Sequence, residues 1–209
     1  RGIMIRNTSL DQFMVIVQFF ENDINSIELI LNHLKNNFKQ LSSIQYIINN
    51  KGNDSIYDQE INLFHGKEYI EEMIGELKFK IFPKSFFQTN TNQTIKLYQV
   101  VKDLADLKGN EIVYDLYSGL GTITQFLAKE ANKIIGIESI DEAVISAQES
   151  ATYNNINNVE FEAGDMKKIF TSEFISKHGK PDVIITDPPR DGMHKDVIKE
   201  ILNLDTKTI

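Results

Sequence analysis

The segment Ile112–Thr122 (IVYDLYSGLGT) contains the residues whose types and spacing best fit a ligand-binding loop. A hydrophobic strand is predicted to end near Asp115, and two glycines, Gly119 and Gly121, follow it. Glycines at this spacing permit a tight turn and a close approach of the backbone to a ligand. The third glycine of the dinucleotide fingerprint is replaced by Thr124, which weakens the case for a pyrophosphate. The pattern suits a nucleoside-type cofactor without phosphates, S-adenosylmethionine, and its structural alternative is an ordinary strand–helix turn.

Two more acidic residues follow the next two predicted strands. Glu138 comes 23 residues after Asp115, about the distance at which an acid binds a ribose hydroxyl pair in this architecture. A carboxylate there can accept two hydrogen bonds from vicinal hydroxyls, whereas the alternative is a solvated acid. Asp165 ends the third strand, where it could accept from an adenine amino group or cap the helix beginning at Met166. Both roles stay open for Asp165.

The segment Asp187–Arg190 (DPPR) closes the fourth predicted strand. Two consecutive prolines fix φ and remove two backbone donors, so the chain leaves the strand by a rigid, non-helical path. A similar loop with an aromatic fourth residue serves enzymes that methylate amino groups of flipped bases. Arg190 stands at that position here, so this chain lacks the stacking ring.

Composition excludes several kinds of chemistry. The chain of 209 residues is 41% hydrophobic and 25% charged, as is usual for globular proteins, and it contains no cysteine. Disulfides, thiolate metal sites and a cysteine nucleophile within the chain are therefore excluded. The four histidines show no metal-ligand spacing, so we predict no metal site. The net charge of −8 argues against a broadly basic nucleic-acid surface but allows a local basic groove. We predict a cytoplasmic protein with no membrane segment.

Strands and helices alternate after Pro83. The predicted strands cover residues 111–116, 133–138, 159–163 and 182–187, and the predicted helices cover residues 91–107, 121–131, 141–153, 167–177 and 194–204. This alternation implies a parallel sheet with right-handed crossovers and helices on both faces. Ligands bind beyond the carboxyl ends of such strands, where the acids described above lie. Residues 206–209 are predicted to begin a fifth strand.

The first part of the chain, residues 1–84, is predicted to form a separate α+β module. Hydrophobic runs at 3–6, 12–20 and 44–48 indicate strands, and apolar residues between Ile27 and Phe38 recur at helical spacing. Further short strands are predicted at residues 60–65, 68–74 and 76–82. Nothing in this module resembles a catalytic cluster.

Four motifs together resemble the RNA (uracil-5-)-methyltransferases, class I S-adenosylmethionine enzymes that make 5-methyluridine in ribosomal or transfer RNA. The motifs are Ser85–Asn90 (SFFQTN), Asp115–Thr122 (DLYSGLGT), Gly136–Glu138 (GIE) and Asp187–Arg190 (DPPR). The junction motif, Ser85–Asn90, is the most specific, and the resemblance covers nearly the whole chain. It implies a Rossmann-like methyltransferase domain over residues 85–209, truncated at its C-terminus.

The resemblance also implies a set of cofactor-binding residues. They are Gln88, Tyr117, Gly119, Gly121, Thr122, Glu138, Asp165 and Asp187. In this family the acid at Glu138 binds the ribose and the residue at Asp165 lies beside the adenine. Asp187 corresponds to an aspartate near the methyl donor and the target base, and Gln88 to the glutamine of the junction.

The family's chemistry requires groups that this chain does not contain. A cysteine thiolate adds to C6 of uracil, which makes C5 able to attack the methylsulfonium, and a carboxylate then removes the C5 proton. In the family both groups follow the fifth strand. We therefore expect them beyond Ile209, and we expect the chain to be a fragment without its own catalytic residues. We also expect the family's N-terminal RNA-binding barrel to be absent from this chain.

The expected partner is RNA, with ribosomal RNA, in particular 23S, favoured over transfer RNA by the junction motif. Two functions of other classes stay open. One is an amino-group methyltransferase that uses Asp187 and its prolines. The other is a non-catalytic module that uses the same fold to bind a nucleoside ligand or a protein.

Overall fold

A computed structural model describes residues 1–209, which fall into two compact units. The first unit comprises residues 1–73 and 79–87, and the second comprises residues 74–78 and 88–209. Our predicted boundary between residues 84 and 85 lies close to the change of unit at Phe87 and Gln88.

The first unit is built on a four-stranded mixed sheet in the order β1-β2-β3-β4. The elements in this part of the chain are β1 (Gly2–Asn7), β2 (Phe13–Phe19), α1 (Ile24–Asn37), β3 (Leu41–Ile48), β4 (Asn62–Gly66), β5 (Ile70–Ile74) and β6 (Leu77–Ile81). Helix α1 connects the parallel neighbours β2 and β3, and Asp23 caps it by accepting a hydrogen bond from the Asn25 amide.

Strand β2 is hydrophobic on both faces because both faces of the sheet are covered. Met14 and Ile16 pack with Ile70 and Ile81 of the β5–β6 pair. The alternate residues of β2 pack against α1 on the other face. A strand buried on both sides cannot show the alternation of apolar and polar residues that marks a one-sided strand.

The second unit carries the parallel sheet, in the order β10-β7-β8-β9. Its elements are α2 (Thr91–Ala105), β7 (Ile112–Leu116), α3 (Thr122–Leu127), β8 (Lys133–Glu138), α4 (Asp141–Tyr153), β9 (Val159–Ala163), α5 (Met166–Ile169), α6 (Ser172–His178), β10 (Val183–Thr186) and α7 (Lys195–Asn203). None of the helices in the chain is both long and apolar enough to cross a membrane.

The register of the parallel sheet brings its carboxyl ends to one edge. Leu116 pairs with Ile137 in β8 and with Thr186 in β10. Strand order changes direction between β10 and β7, which are adjacent in space but distant in sequence, so this edge is the predicted ligand-binding position. The Ile184 amide donates to the Thr208 carbonyl at 3.0 Å, and Val183 and Thr208 form a parallel bridge. The predicted fifth strand thus begins beside β10.

Two predicted helices differ from the structure. Residues 167–177 form two short helices, α5 and α6, because Phe170 leaves the helix with ψ of 76° and enters the core. The Thr171 side chain then caps α6 by accepting from the Phe174 amide. The helix predicted at 121–131 ends at Leu127 and continues as a short 3₁₀ segment, Ala128–Glu130.

Candidate cofactor site

The two glycines of the loop after β7 have different surroundings. Both adopt positive φ, 55° at Gly119 and 68° at Gly121. A Cβ on Gly121 would lie 2.5 Å from the ring of Phe161, whereas a Cβ on Gly119 would meet nothing within 4 Å. Gly121 is therefore required by packing. Gly119 faces open space at the strand ends, as a ligand-binding backbone requires.

Glu138 ends β8 with its carboxylate tied to the backbone. Its Oε1 accepts the amides of Ser139 and Ile140 at 2.7 and 3.0 Å, and also the Ser139 hydroxyl at 3.0 Å. Its Oε2 accepts only the Gly119 amide, at 3.0 Å. Since a carboxylate oxygen has capacity for more than one hydrogen bond, Oε2 can still accept from a ligand hydroxyl. The local bonds orient the carboxylate beside the glycine loop.

Asp115 lies beneath this loop and is only 1% exposed. The pKa of Asp115 is raised to about 7, chiefly because burial desolvates the carboxylate and to a lesser extent because the charges of Asp187 and Glu138 lie nearby; the hydrogen bond that Thr124 donates to its Oδ2 opposes the rise. The threonine that replaces the third fingerprint glycine thus partners a buried carboxyl. This is a structural role that the spacing of the motif did not reveal.

Thr122 begins α3 and contacts a residue of α2. The hydroxyl of Tyr98 and the Oγ1 of Thr122 lie 2.7 Å apart. Desolvation raises the pKa of Tyr98 to about 12, with smaller contributions from the charges of Asp115 and Asp187. Tyr98 is therefore neutral, and its hydrogen bond with Thr122 fixes the start of α3 below the loop.

A cavity of about 320 Å³ opens at the carboxyl ends of β7, β8 and β9. Its lining residues are Tyr117, Ser139, Gly164, Asp165, Met166, Lys167, Gly192, His194 and Val197. The volume is at the lower end of the range for ligand pockets, about 300–1,000 Å³. We call it the strand-end cavity. It brings together Tyr117 and Asp165, two of the predicted cofactor-binding residues.

Tyr117 has an unusual backbone conformation, and Asp165 caps a helix. Tyr117 has φ of 66°, a left-handed conformation that is uncommon for a residue with a side chain. Desolvation raises its pKa, and so does the charge of Asp165. Asp165 caps α5, because its Oδ1 accepts the Lys167 amide at 3.1 Å. The capping alternative for Asp165 is thus observed, and its place in the cavity wall leaves the adenine role compatible with it.

Asp187 and Gln88 lie outside this cavity lining. Asp187 directly follows β10, is exposed, and has no hydrogen-bond or ion-pair partner. Because Thr186 pairs with Leu116, Asp187 and Tyr117 leave the sheet at neighbouring strand ends. Gln88 lines a separate depression of about 450 Å³ along the first turns of α2. The assignment of these residues to the cofactor remains a prediction.

The sequence patterns missed most of the cavity wall. Gly192 and His194 enter it from the loop that follows the two prolines, and Met166 and Lys167 enter from α5. His194 caps α7 through its Nδ1, which accepts the Asp196 amide at 3.2 Å. The signal available in the sequence was position alone, since each of these residues follows the carboxyl end of a predicted strand.

Comparisons with known proteins agree with this fold. Residues 107–208 match a family described as a methyltransferase domain. An uncharacterized RNA methyltransferase of Porphyromonas gingivalis is 51% identical over 202 residues, which are 97% of this chain and 43% of that protein. One from Bacteroides thetaiotaomicron is 46% identical over 100% of this chain and 47% of that protein. The chain therefore spans less than half the length of these relatives.

A solved structure is similar over both units. The crystal structure of Pyrococcus abyssi tRNA (uracil-54, C5)-methyltransferase in complex with S-adenosyl-L-homocysteine matches with a TM-score of 0.76 and 30% identity. The match covers 95% of this chain and 46% of that chain. The parallel sheet and the glycine loop define a Rossmann-like class I methyltransferase fold. These similarities agree with the class I methyltransferase fold and the S-adenosylmethionine cofactor that the motifs predicted.

Proposed function

We propose that this chain is the cofactor-binding part of an RNA (uracil-5-)-methyltransferase, which transfers a methyl group from S-adenosylmethionine to C5 of a uridine. The observation that carries the proposal is Glu138, whose Oε2 keeps acceptor capacity beside the open face of Gly119. The similarity to an enzyme named for uracil C5 supports the target atom.

The residues at the strand ends would each have a separate task. Glu138 would accept the ribose hydroxyls, and Gly119 would let the ligand approach the backbone. Asp165 would accept from the adenine amino group through the oxygen that does not cap α5. Asp187 would lie near the methyl donor, and Gln88 would contact the cofactor as the junction glutamine of the family does, as the resemblance implies. When bound, S-adenosylmethionine supplies an electrophilic methyl group.

Methyl transfer to C5 also needs a nucleophile at C6, because uracil C5 is a poor nucleophile by itself. The chain contains no cysteine. We therefore expect the 209-residue chain to bind the cofactor without forming methylated RNA. Formation of 5-methyluridine by this chain alone, with labelled S-adenosylmethionine and RNA, would contradict the thiolate mechanism.

The cofactor site is tested by calorimetry with S-adenosylhomocysteine. We expect binding by the unchanged chain and a loss of about tenfold or more in Glu138→Gln, since a hydrogen bond to a charged group contributes about 1.5–3 kcal/mol. Glu142→Gln, at an exposed acid in the first turn of α4, is the matched control. Equal affinities in both variants would refute the role of Glu138, and no binding by the unchanged chain would favour a module with another ligand.

The RNA substrate has two candidate classes, ribosomal RNA and transfer RNA. The junction motif favours ribosomal RNA, and similarity to the Pyrococcus abyssi enzyme favours transfer RNA. Competition between fragments of 23S ribosomal RNA and transfer RNA for the chain distinguishes them. Stronger competition by transfer RNA would replace ribosomal RNA as the proposed substrate.

A further inference from the structure

Two residues that line the strand-end cavity cap helices, and each leaves one polar side-chain atom without a hydrogen bond. Asp165 caps α5 through Oδ1, and its Oδ2 lies 3.8 Å from the Lys168 ammonium, beyond hydrogen-bond distance. His194 caps α7 through Nδ1, which accepts the Asp196 amide at 3.2 Å and lies 3.4 Å from the Asp196 carboxylate. Both contacts of His194 are therefore made by Nδ1, and its Nε2 has no partner.

The two free atoms have opposite hydrogen-bonding character. Because Nδ1 of His194 accepts an amide hydrogen, the ring proton of the neutral imidazole lies on Nε2, and Nε2 also carries a proton in the imidazolium. Nε2 is thus a donor in either protonation state. The Oδ2 of an ionised Asp165 can only accept. The cavity wall therefore offers one donor and one acceptor.

Contacts between α5 and α7 fix these two residues relative to each other. The Lys167 ammonium lies 3.8 Å from the Oδ2 of Asp196, the residue whose amide His194 accepts. Met166 and Val197 line the same cavity, are buried, and belong to one hydrophobic core. The cavity of about 320 Å³ is large enough to contain a planar nucleobase.

The other polar side chains of the wall are less suited to reading the edge of a base. The Ser139 hydroxyl already donates to Glu138 at 3.0 Å. The Lys167 ammonium faces the Asp196 carboxylate. The Tyr117 hydroxyl is a second donor without a partner, so a substitution at Tyr117 is needed to separate its effect from that of His194.

We propose that His194 determines the base specificity of the cofactor site, by donating from Nε2 to N1 of adenine while Asp165 accepts from the N6 amino group. The proposal rests on the function proposed above, in which Asp165 contacts the adenine. Hypoxanthine carries an acceptor, O6, and a donor, N1–H, in the reverse order. The pair of side chains therefore selects adenine and rejects hypoxanthine.

His194→Ser separates the capping of α7 from the reading of the base. A serine side chain is a good helix cap but is too short to replace Nε2. We expect the affinity for S-adenosylhomocysteine to fall about fivefold, because one neutral hydrogen bond is lost. The midpoint of urea unfolding should stay the same, because α7 keeps its cap.

Asp165→Asn is the reciprocal substitution. Asparagine caps helices as well as aspartate does, and capping through Oδ1 places its amide nitrogen where Oδ2 was. This nitrogen donates, so it matches O6 of hypoxanthine and opposes the amino group of adenine. We expect the preference for adenine over hypoxanthine to fall by about tenfold or more.

The test is calorimetry of the 209-residue chain with S-adenosylhomocysteine and with S-inosylhomocysteine, in which hypoxanthine replaces adenine. We expect the unchanged chain to prefer the adenine compound about 100-fold, because hypoxanthine would place a donor against Nε2 and an acceptor against Oδ2. Lys195→Ser is the matched control, because Lys195 is the exposed neighbour of His194 and does not line the cavity. Lys195→Ser and Tyr117→Phe should both keep the preference of the unchanged chain.

The outcomes separate this inference from the proposed function. Equal affinities of the unchanged chain for the two compounds would overturn the base-reading pair and leave the cofactor site intact. An unchanged preference in His194→Ser would overturn the role of His194, and a reduced preference in Tyr117→Phe would indicate the Tyr117 hydroxyl as the donor instead. Binding of neither compound by the unchanged chain would overturn the proposed function and this inference together.

Discussion

The same substitution at the two glycines of the loop after β7 should have different effects on stability and on ligand binding. Alanine at either position forces a side chain into a left-handed conformation, which costs about 1–2 kcal/mol. At Gly121 the new Cβ would also overlap the Phe161 ring at 2.5 Å and approach the Ala147 Cβ at 3.1 Å. Overpacking of this kind costs about 1–3 kcal/mol more.

Phe161 cannot move away easily, because it is 8% exposed and packs in a core with Val144, Ala147 and Ala151. We therefore expect Gly121→Ala to lower the free energy of unfolding by about 2–5 kcal/mol and Gly119→Ala by about 1–2 kcal/mol. Gly119→Ala should instead weaken binding of S-adenosylhomocysteine, since its Cβ projects into the open space beside Glu138.

Urea unfolding followed by far-ultraviolet circular dichroism measures the first effect, and calorimetry measures the second. In a Phe161→Leu background the steric part of the Gly121→Ala penalty should disappear, leaving the backbone strain. Equal stability losses at the two glycines, or an unchanged penalty in the Phe161→Leu background, would refute the assignment of packing to Gly121 and ligand approach to Gly119.

Three other substitutions test the core below the loop. Burial raises the pKa of Asp115 to about 7, so its carboxyl ionises at a lower pH in the unfolded chain than in the native state. The native state therefore loses stability as pH rises from about 4 to 7. Asp115→Asn should therefore become more stable than the unchanged chain as pH rises, by up to about 4 kcal/mol at pH 8. Urea unfolding across this pH range measures the difference in stability. A difference that does not change with pH would contradict the raised pKa of Asp115. Tyr98→Phe removes the hydrogen bond with Thr122 and should lower the free energy of unfolding by about 1 kcal/mol, with no pH dependence near neutrality. Thermal unfolding measures this loss, and an unchanged melting temperature would argue against the hydrogen bond. Gln125, 1% exposed, accepts from Asn154 and donates to the Ser150 hydroxyl at 2.6 Å. Gln125→Leu removes both hydrogen bonds, although Asn154 still donates to the Lys78 carbonyl and Ser150 to the Ala147 carbonyl. The substitution should cost about 2 kcal/mol by the same assay, and a neutral result would contradict a stabilising role for the amide.

The parallel sheet was predictable because each of its strands is a short hydrophobic run bounded by turn residues. Strand β8 was predicted at residues 133–138, and the structure has it at Lys133–Glu138. The break between α5 and α6 was not predictable from the same reasoning. Phe170 continues a helical pattern locally, and only its packing against Tyr114 and Phe174 shows that it must leave the helix.

The residues of the candidate site could likewise be predicted from the sequence only in part. Glu138 could be proposed from its place at a strand end, but its amide partners come from Gly119 across the sheet edge and from Ser139 and Ile140. Gln88 was assigned to the cofactor through the junction motif, and the structure places it in a depression along α2. Sequence position indicates which strand end a residue follows, and it carries no information about which side of that end the side chain faces.

The order of elements along the chain, the strand-end acids and the absence of a thiol follow from the sequence alone, because hydrophobic period and residue type are local properties. Only the tertiary structure decided that Gly121 serves packing and Gly119 an open face, since Phe161 reaches Gly121 from a strand 40 residues further along the chain. The same holds for Asp115, whose raised pKa depends on burial by elements distant in sequence. Contacts between distant segments form only when the sheet assembles. These contacts determine which residues pack against the loop and which residues face its ligand.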